Sequence, residues 1–399
     1  MTNMDKQLVA DMTAWRRTIH SNPEMAFEEH DTARLVAEVL RANGIDVVTG
    51  VGRTGVVGTL RRGAGPSTGL RADMDALPLV EKNSFGHKSC RDGTMHACGH
   101  DGHTAMLLGA AVALSRDQDW KGTVHFIFQP AEESVGGGKV MVEDGLFERF
   151  PCDRVFGLHN WPGVPAGRFA INHGPMMASF DTFEITIQGV GGHAAMPEQA
   201  VDALVCASQL VLALQTIVSR RISAQDSAVV SVTQIHGGEA WNVLPDSAVV
   251  RGTVRCFSST IQHRIQELLA EVAGGVAQSC GARATVSYRY GYPATVNTQA
   301  ETDLAIKAAS AVVGADNVTC DCVPGMGSED FAFMLAKRPG AYIWMGVDQG
   351  STVPLHNPHY DFNDEVISHG AAFWVQLAKL SGEGLNAKEE GGFGLTSAA

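Results

Sequence analysis

At residues 180–190 the chain reads "FDTFEITIQGV", and its side chains alternate without a break: Phe183, Ile185 and Ile187 on one face, Thr182, Glu184 and Thr186 on the other. A period of two with one apolar face describes a strand of an antiparallel sheet, covered on one side and wet on the other. Earlier in the chain the pattern is different. "GTVHFIFQP" (122–130) is apolar almost throughout, as a strand buried on both faces must be, and "HTAMLLGAAVALS" (103–115) reads as a helix buried all round. Strands of these two kinds are covered in different ways, so the chain needs two cores. A length of 399 residues allows for both.

The order of elements assigns each core its stretch. A first helix puts Leu8, Met12, Trp15 and Ile19 on one face and stops before Pro23; a second runs from about Thr32 to the Asn43-Gly44 stop. Short apolar strands follow in "IDVVTGV", "TGVVGTL", "TGLRADMD", "GTVHFIFQP" and "RVFGLHN", with the buried helix among them. Such alternation predicts an α/β sheet with helices on both faces. From residue 179 come the alternating strand, a helix over about 198–221, strands "SAVVSVTQIHG" and "DSAVVRGTVRCF", a helix over about 260–278 and strand "ATVSYRYGY". The order β-α-β-β-α-β is ferredoxin-like. Beyond Pro293 the α/β character returns, with strand "AYIWMGV" and a last helix around "DEVISHGAAFWVQLAKL". The expectation is a larger domain made of 1–178 and 294–399, with 179–293 inserted as a smaller one and a loose tail from Gly382.

Composition narrows the function. A formal net charge of −13 and the absence of any basic patch argue against nucleic acid as partner. The N-terminus lacks the basic start and cleavage site of a signal peptide, and no apolar run looks long enough to span a bilayer, so the cytoplasm is the default. Eight thinly spread cysteines fit reduced thiols, with Cys206 a small buried hydrophobe; the Cys320/Cys322 pair lacks the partner pair of a zinc site.

The chemistry gathers after strands. "MHACGHDGH" (95–103) packs His96, Cys98, His100, Asp101 and His103 together; "RADMDALP" carries Asp73 and Asp75; "HFIFQPAEES" carries Glu132 and Glu133; "FGLHNWP" ends on His159; "PLHNPHYDFND" supplies His356 and His359. Ligands of open α/β sheets bind at the carboxyl ends of strands. Taken singly, each residue has a plain reading: a hydrogen-bonded structural histidine, a solvated glutamate turn. His125 in its strand, and His20, His30 and His263 on helix surfaces, keep that reading. Jointly, thiolate, imidazole and carboxylate suit a borderline-soft divalent ion such as zinc, with manganese, cobalt or nickel as alternatives. Cys98 and His100, two apart, face one way on an extended segment. Of two adjacent glutamates, one can bind metal while the other serves as general base. Asp73 is placed to hold the far nitrogen of a ligand histidine.

These motifs, with "GVGGHAAMPE", "WNVLPD" and "GMGSEDF", resemble the amidohydrolase branch of the M20 metallopeptidases from about residue 12 to 380. That branch includes hippurate hydrolases, N-acyl-amino-acid amidohydrolases and indole-acetyl-amino-acid hydrolases. The resemblance implies a zinc-peptidase-like α/β catalytic domain with an inserted ferredoxin-like lid and dimerisation domain, a homodimer or a tetramer, and two divalent ions per subunit. Cys98 would bridge them, where related dinuclear peptidases use an aspartate. His100 and His159 would complete one ion, Glu133 and His356 the other, with Glu132 as the base. In the inserted domain His193 would reach the partner subunit's site to stabilise an oxyanion, Asn242 would hold the substrate, and Arg255 would anchor a carboxylate. Arg255 stands in an alternating strand, where an outward-facing residue is the plain alternative. Ser328 and Glu329 would line the pocket floor. The implied reaction is hydrolysis of an N-acyl amino acid.

Three rivals stay open on the residues. A thiol amidohydrolase would use Cys98 as nucleophile, which leaves the paired glutamates and His356 without a role. A metal-binding scaffold would need no base. A dipeptidase or carboxypeptidase would share the metal chemistry and differ in substrate.

Overall fold

The computed structural model describes residues 4–350 and 353–383; the tail expected to be loose lies, from residue 384, outside the described residues. The chain divides into two compact units. One takes the described residues among 1–171, 300–320 and 338–399; the other takes Asn172–Gln299 and also Asp321–Lys337. The smaller unit thus claims a second, short passage of chain that carries "GMGSEDF", beyond the 179–293 read from the alternating pattern.

In the larger unit the described residues form an eight-stranded sheet in the order Asp46–Val51, Gly55–Arg62, Gly122–Gln129, Ser67–Asp73, Arg154–Pro165, Gly340–Asp348, Phe169–Ala170, Val318–Thr319. The third to sixth of these strands run parallel to one another. They are the continuous apolar runs, and burial on both faces is what parallel strands require. Helix His100–Arg116 packs against Ser67–Asp73 on one side and against helices Lys6–Ser21 and Ile367–Gly382 on the other, which explains its apolar residues on every face.

Helix Lys6–Ser21 corrects one expectation. His20, read as a surface residue, is fully buried, as is Arg16. His20 Nδ1 lies 2.8 Å from Asp101 and Nε2 3.3 Å from Glu81. Arg16 donates to Asp361 at 2.6 Å and Asp364 at 2.7 Å and reaches Asp101 at 3.4 Å. A polar side chain can occupy a core-facing position when its partners are buried with it, and apolar periodicity cannot see that.

The smaller unit has a four-stranded antiparallel sheet in the order Ala228–His236, Ser247–Cys256, Phe180–Gln188, Arg283–Tyr292. This is the ferredoxin-like arrangement. Phe183, Ile185 and Ile187 are buried against helices Ala203–Thr216 and Ser259–Ser279. The first of these helices, extended by a π-turn to Arg221, spans 19 residues and is apolar enough to cross a bilayer by length and composition, contrary to the sequence reading. Its Cys206, Leu210, Leu214 and Ile217 pack into the unit's core instead.

Candidate metal centre

The four parallel strands deliver side chains to one edge of the sheet. Ser67–Asp73 ends on Asp73, Gly122–Gln129 runs through Pro130 and Ala131 to Glu132, His159 lies within Arg154–Pro165, and His356 follows Gly340–Asp348. From Ser67–Asp73 the chain crosses to the strand on one side and later returns to the strand on the other. Such a reversal opens a crevice at the carboxyl ends. Cys98 and His100 enter through a turn at Gly99, whose φ is +94°, so the segment is bent and not extended as the two-residue spacing suggested. A Cβ at Gly99 would stand 2.1 Å from Asn160 Oδ1, and only glycine lets the turn come so close.

The ligand atoms of Cys98, His100 and His159 lie within 4.8 Å of one another, and so do those of Cys98, Glu133 and His356. Cys98 Sγ is 3.4 Å from His159 Nε2, and Glu133 Oε1 is 3.3 Å from His356 Nε2. Glu132 shares a third such group with His100 and Glu133. His356 takes a left-handed backbone, φ 63°, and its N–H donates to Ala97 carbonyl at 2.8 Å, tying its loop beside the Cys98 segment. His359, exposed, joins none of these groups.

Main-chain carbonyls set the histidine tautomers. A carbonyl only accepts, so His100 Nδ1 donates to Asp75 O at 2.9 Å and His159 Nδ1 donates to Asn160 O at 2.6 Å. When neutral, each ring then keeps its lone pair on Nε2, which faces Cys98 in His159 and the Cys98 and Glu133 cluster in His100. His103 is different. Its Nε2 accepts from Asn160 N–H at 3.0 Å, and its Nδ1 donates to Asp73 at 2.6 Å, so both nitrogens are spent and it is no ligand. The role read for Asp73 changes accordingly. It holds His103, while its second oxygen, 2.8 Å from Arg71, stands 3.6 Å from His100 Nε2; the far nitrogen of His100 belongs to the Asp75 carbonyl.

The electrostatics fit a cation. Burial, then the carboxylates of Glu133, Glu132 and Asp73, pushes the Cys98 thiol well above its ordinary range. A thiolate here needs a positive charge beside it. Burial would lower His100, but Asp73, Asp75 and Glu133 outweigh it and drive the ring up to about 10; burial holds His159 well down. His100 Nε2 and Glu133 Oε1 are buried atoms with no hydrogen-bond partner, and both face the Cys98 thiol's cluster. Donors of this kind left unpaired in one cluster are what a divalent ion satisfies. His96, buried with neither ring nitrogen paired, is held by burial at about 4.

The remaining sequence-read residues belong to the smaller unit. His193 pairs in a short ladder with Val243, and Asn242 carbonyl accepts from Ala194 N–H at 3.0 Å, so the two line one cleft of about 1030 Å³. Arg255 is not part of that lining; it donates to Met326 carbonyl at 2.8 Å and covers the Phe180 ring. Sequence reasoning gave no role to Asn160 or to the Asp75 carbonyl. Asn160, directly after His159, carried the one available hint.

Residues 69–380 match the sequence profile of Peptidase family M20/M25/M40. A hippurate hydrolase of Campylobacter jejuni is 41% identical over 364 residues, 91% of this chain and 94% of that one. A thermostable carboxypeptidase of Saccharolobus solfataricus is 38% identical, over 91% of this chain and 93% of its own. A crystal structure of a Bacillus subtilis protein, described as a dinuclear metal binding peptidase from the M20 family, superposes with a TM-score of 0.85 at 34% identity, covering 95% of this chain and 99% of that one. With a profile spanning most of its length and relatives aligned nearly end to end, the chain belongs to Peptidase family M20/M25/M40 and to the metal-dependent amidohydrolases within it.

Proposed function

We propose that this protein hydrolyses the amide bond of N-acyl amino acids at a centre of two divalent ions, zinc or manganese. One arrangement carries the reading: Cys98 Sγ belongs to both donor groups, with His100 and His159 on one side and Glu133 and His356 on the other. Cys98, His100 and His159 would hold one ion, and Cys98, Glu133 and His356 the other. Ions held there would supply Lewis acidity toward an amide carbonyl and a water. Glu132, buried beside His100 and Glu133, takes the proton of the attacking water and returns it to the leaving nitrogen. Asp75 and Asn160 keep His100 and His159 in the ligating tautomer, and Asp73 with His103 backs them. Asn242 and His193, together on one cleft of the smaller unit, are proposed to hold the substrate and its oxyanion, and Arg255 its carboxylate.

The hippurate hydrolase relative favours an N-acyl substrate; the carboxypeptidase relative favours the second reading, a peptide. The test is release of glycine from hippurate, and of the C-terminal residue from an unblocked dipeptide, by wild type and Glu132→Gln. Each is assayed before and after chelation with zinc or manganese restored. Hippurate turnover that vanishes on chelation, returns with metal and falls at least ~10²-fold in Glu132→Gln supports the proposal. Dipeptide turnover alone gives the second reading, and turnover that survives complete metal removal refutes both.

A further inference from the structure

Among the described residues four non-glycine side chains sit on left-handed backbone: Phe27 (φ 63°), Arg53 (81°), Ala131 (56°) and His356 (63°). Such backbone persists only where the surroundings enforce it, and it gathers at functional sites. His356 is a proposed ligand. The other three converge on one buried carboxylate, Glu29. Its Oε1 accepts from Phe27 N–H at 3.0 Å and from Ala131 N–H at 2.9 Å; its Oε2 accepts from the hydroxyl of Thr54, next to Arg53, at 2.5 Å. Arg53 closes the group by laying its guanidinium over the Phe27 ring, 4.2 Å from the centroid.

Ala131 directly precedes Glu132. Its N–H is held by Glu29, and its carbonyl accepts from Gly137 N–H at 2.9 Å. A Cβ at Gly137 would stand 1.7 Å from Pro130 carbonyl oxygen, so the turn closes this tightly only around glycine. Past the base, Asp75 Oδ2 accepts from Glu133 N–H at 3.0 Å. The turn therefore has two carboxylate anchors, one before Glu132 and one after it, and both reach it from distant parts of the chain. An apolar residue at 29 would fill the space without burying a charge, but it would leave Ala131 N–H unpaired and the left-handed turn unsupported. Burial, reinforced by Asp75, pushes the Glu29 carboxyl up to about 7 in spite of its hydrogen bonds, which makes it a costly residue for mere filling.

We infer that Glu29 is a positioning residue for the hydrolysis: through the Ala131 turn it aims Glu132, the general base of the proposed function on which this inference rests.

The experiment is a double-mutant cycle on hippurate with metal-loaded protein: wild type, E29A, E29Q, E132Q and E29A/E132Q. E29Q keeps an oxygen for the two N–H groups and turns its amide to the Thr54 hydroxyl, so its kcat stays within roughly threefold of wild type. E29A loses about 10²-fold in kcat, because a displaced base costs that much, with KM and bound metal per chain unchanged since Asp75 still holds Glu133. In the E132Q background E29A then costs less than about twofold, as expected of residues acting as a unit. Should E29A not fold, E29D, one methylene shorter, takes its place in the cycle. E29A at wild-type kcat, E29Q as impaired as E29A, or losses that multiply in the double variant each overturn the inference while leaving Glu132 as the base. E132Q at wild-type kcat removes the proposed role of Glu132 and this inference with it.

Discussion

His20 gives the structure its clearest link between charge and pH. Its ring is fully buried between Asp101 and Glu81, with Arg16 alongside. Burial lowers its pKa, but the charge and hydrogen bond of Asp101, with the hydrogen bond of Glu81, override that and the repulsion of Arg16, raising it from the ordinary 6.5 to about 9. A pKa raised on folding means that the folded chain binds the proton more tightly, so protonation stabilises the fold. At ~1.4 kcal/mol per pH unit the difference is worth about 3 kcal/mol. That stabilisation is complete below about pH 6.5, shrinks as pH rises, and is gone once the pH has passed about 9. His20→Gln cannot titrate, and it serves as the reference. Urea unfolding of the chelated protein, so that pH-dependent metal release plays no part, is followed by tryptophan fluorescence. Trp15, Trp120, Trp161, Trp344 and Trp374 all lie in the larger unit, and Trp241 is fully exposed already, so the signal reports the unit that holds His20. The stability of wild type relative to His20→Gln should fall by about 3 kcal/mol between pH 6 and pH 9.5. A gap that is equal at both pH values, or that widens as pH rises, refutes the reasoning.

Two further outcomes follow from the site. Gly99→Ala places a methyl group on left-handed backbone against Asn160 Oδ1, and should destabilise the larger unit by about 2–4 kcal/mol, read as a fall in Tm; an unchanged Tm would mean that the turn relaxes freely. Cys98→Asp keeps an anionic ligand and removes the thiol, so kcat with metal restored should stay within about 10²-fold of wild type; a chain that still binds its metal but turns nothing over would return Cys98 to the role of nucleophile.

Much of the architecture is legible in one dimension because it depends on period. Phe183, Ile185 and Ile187 announce a half-covered strand, and the apolar run at 122–130 announces one covered on both faces. The candidate ligands are legible for a related reason: strand ends collect at one edge, so polar residues placed just after strands are brought together by the sheet itself. Arg16 and His20 escape such a reading because they occupy apolar-face positions of the first helix, which Asp101, Asp361, Asp364 and Glu81, distant in sequence, make tolerable. The expectation that no apolar run is long enough to span a bilayer misses 203–221 for the opposite reason: a helix buried on a sheet can be as apolar as one in lipid.

By itself, then, the sequence determined which faces must be buried, in what order the elements come, and which side chains could bind metal, because each of these is written in local pattern and in side-chain chemistry. Tertiary structure alone decided what each polar group meets: that His100 and His159 are set by main-chain carbonyls, that Asp73 serves His103, and that Glu29 supports the turn before Glu132. A hydrogen bond across 102 positions has no period and leaves no local trace. It exists only where packing brings donor and acceptor within about 3 Å and keeps water away.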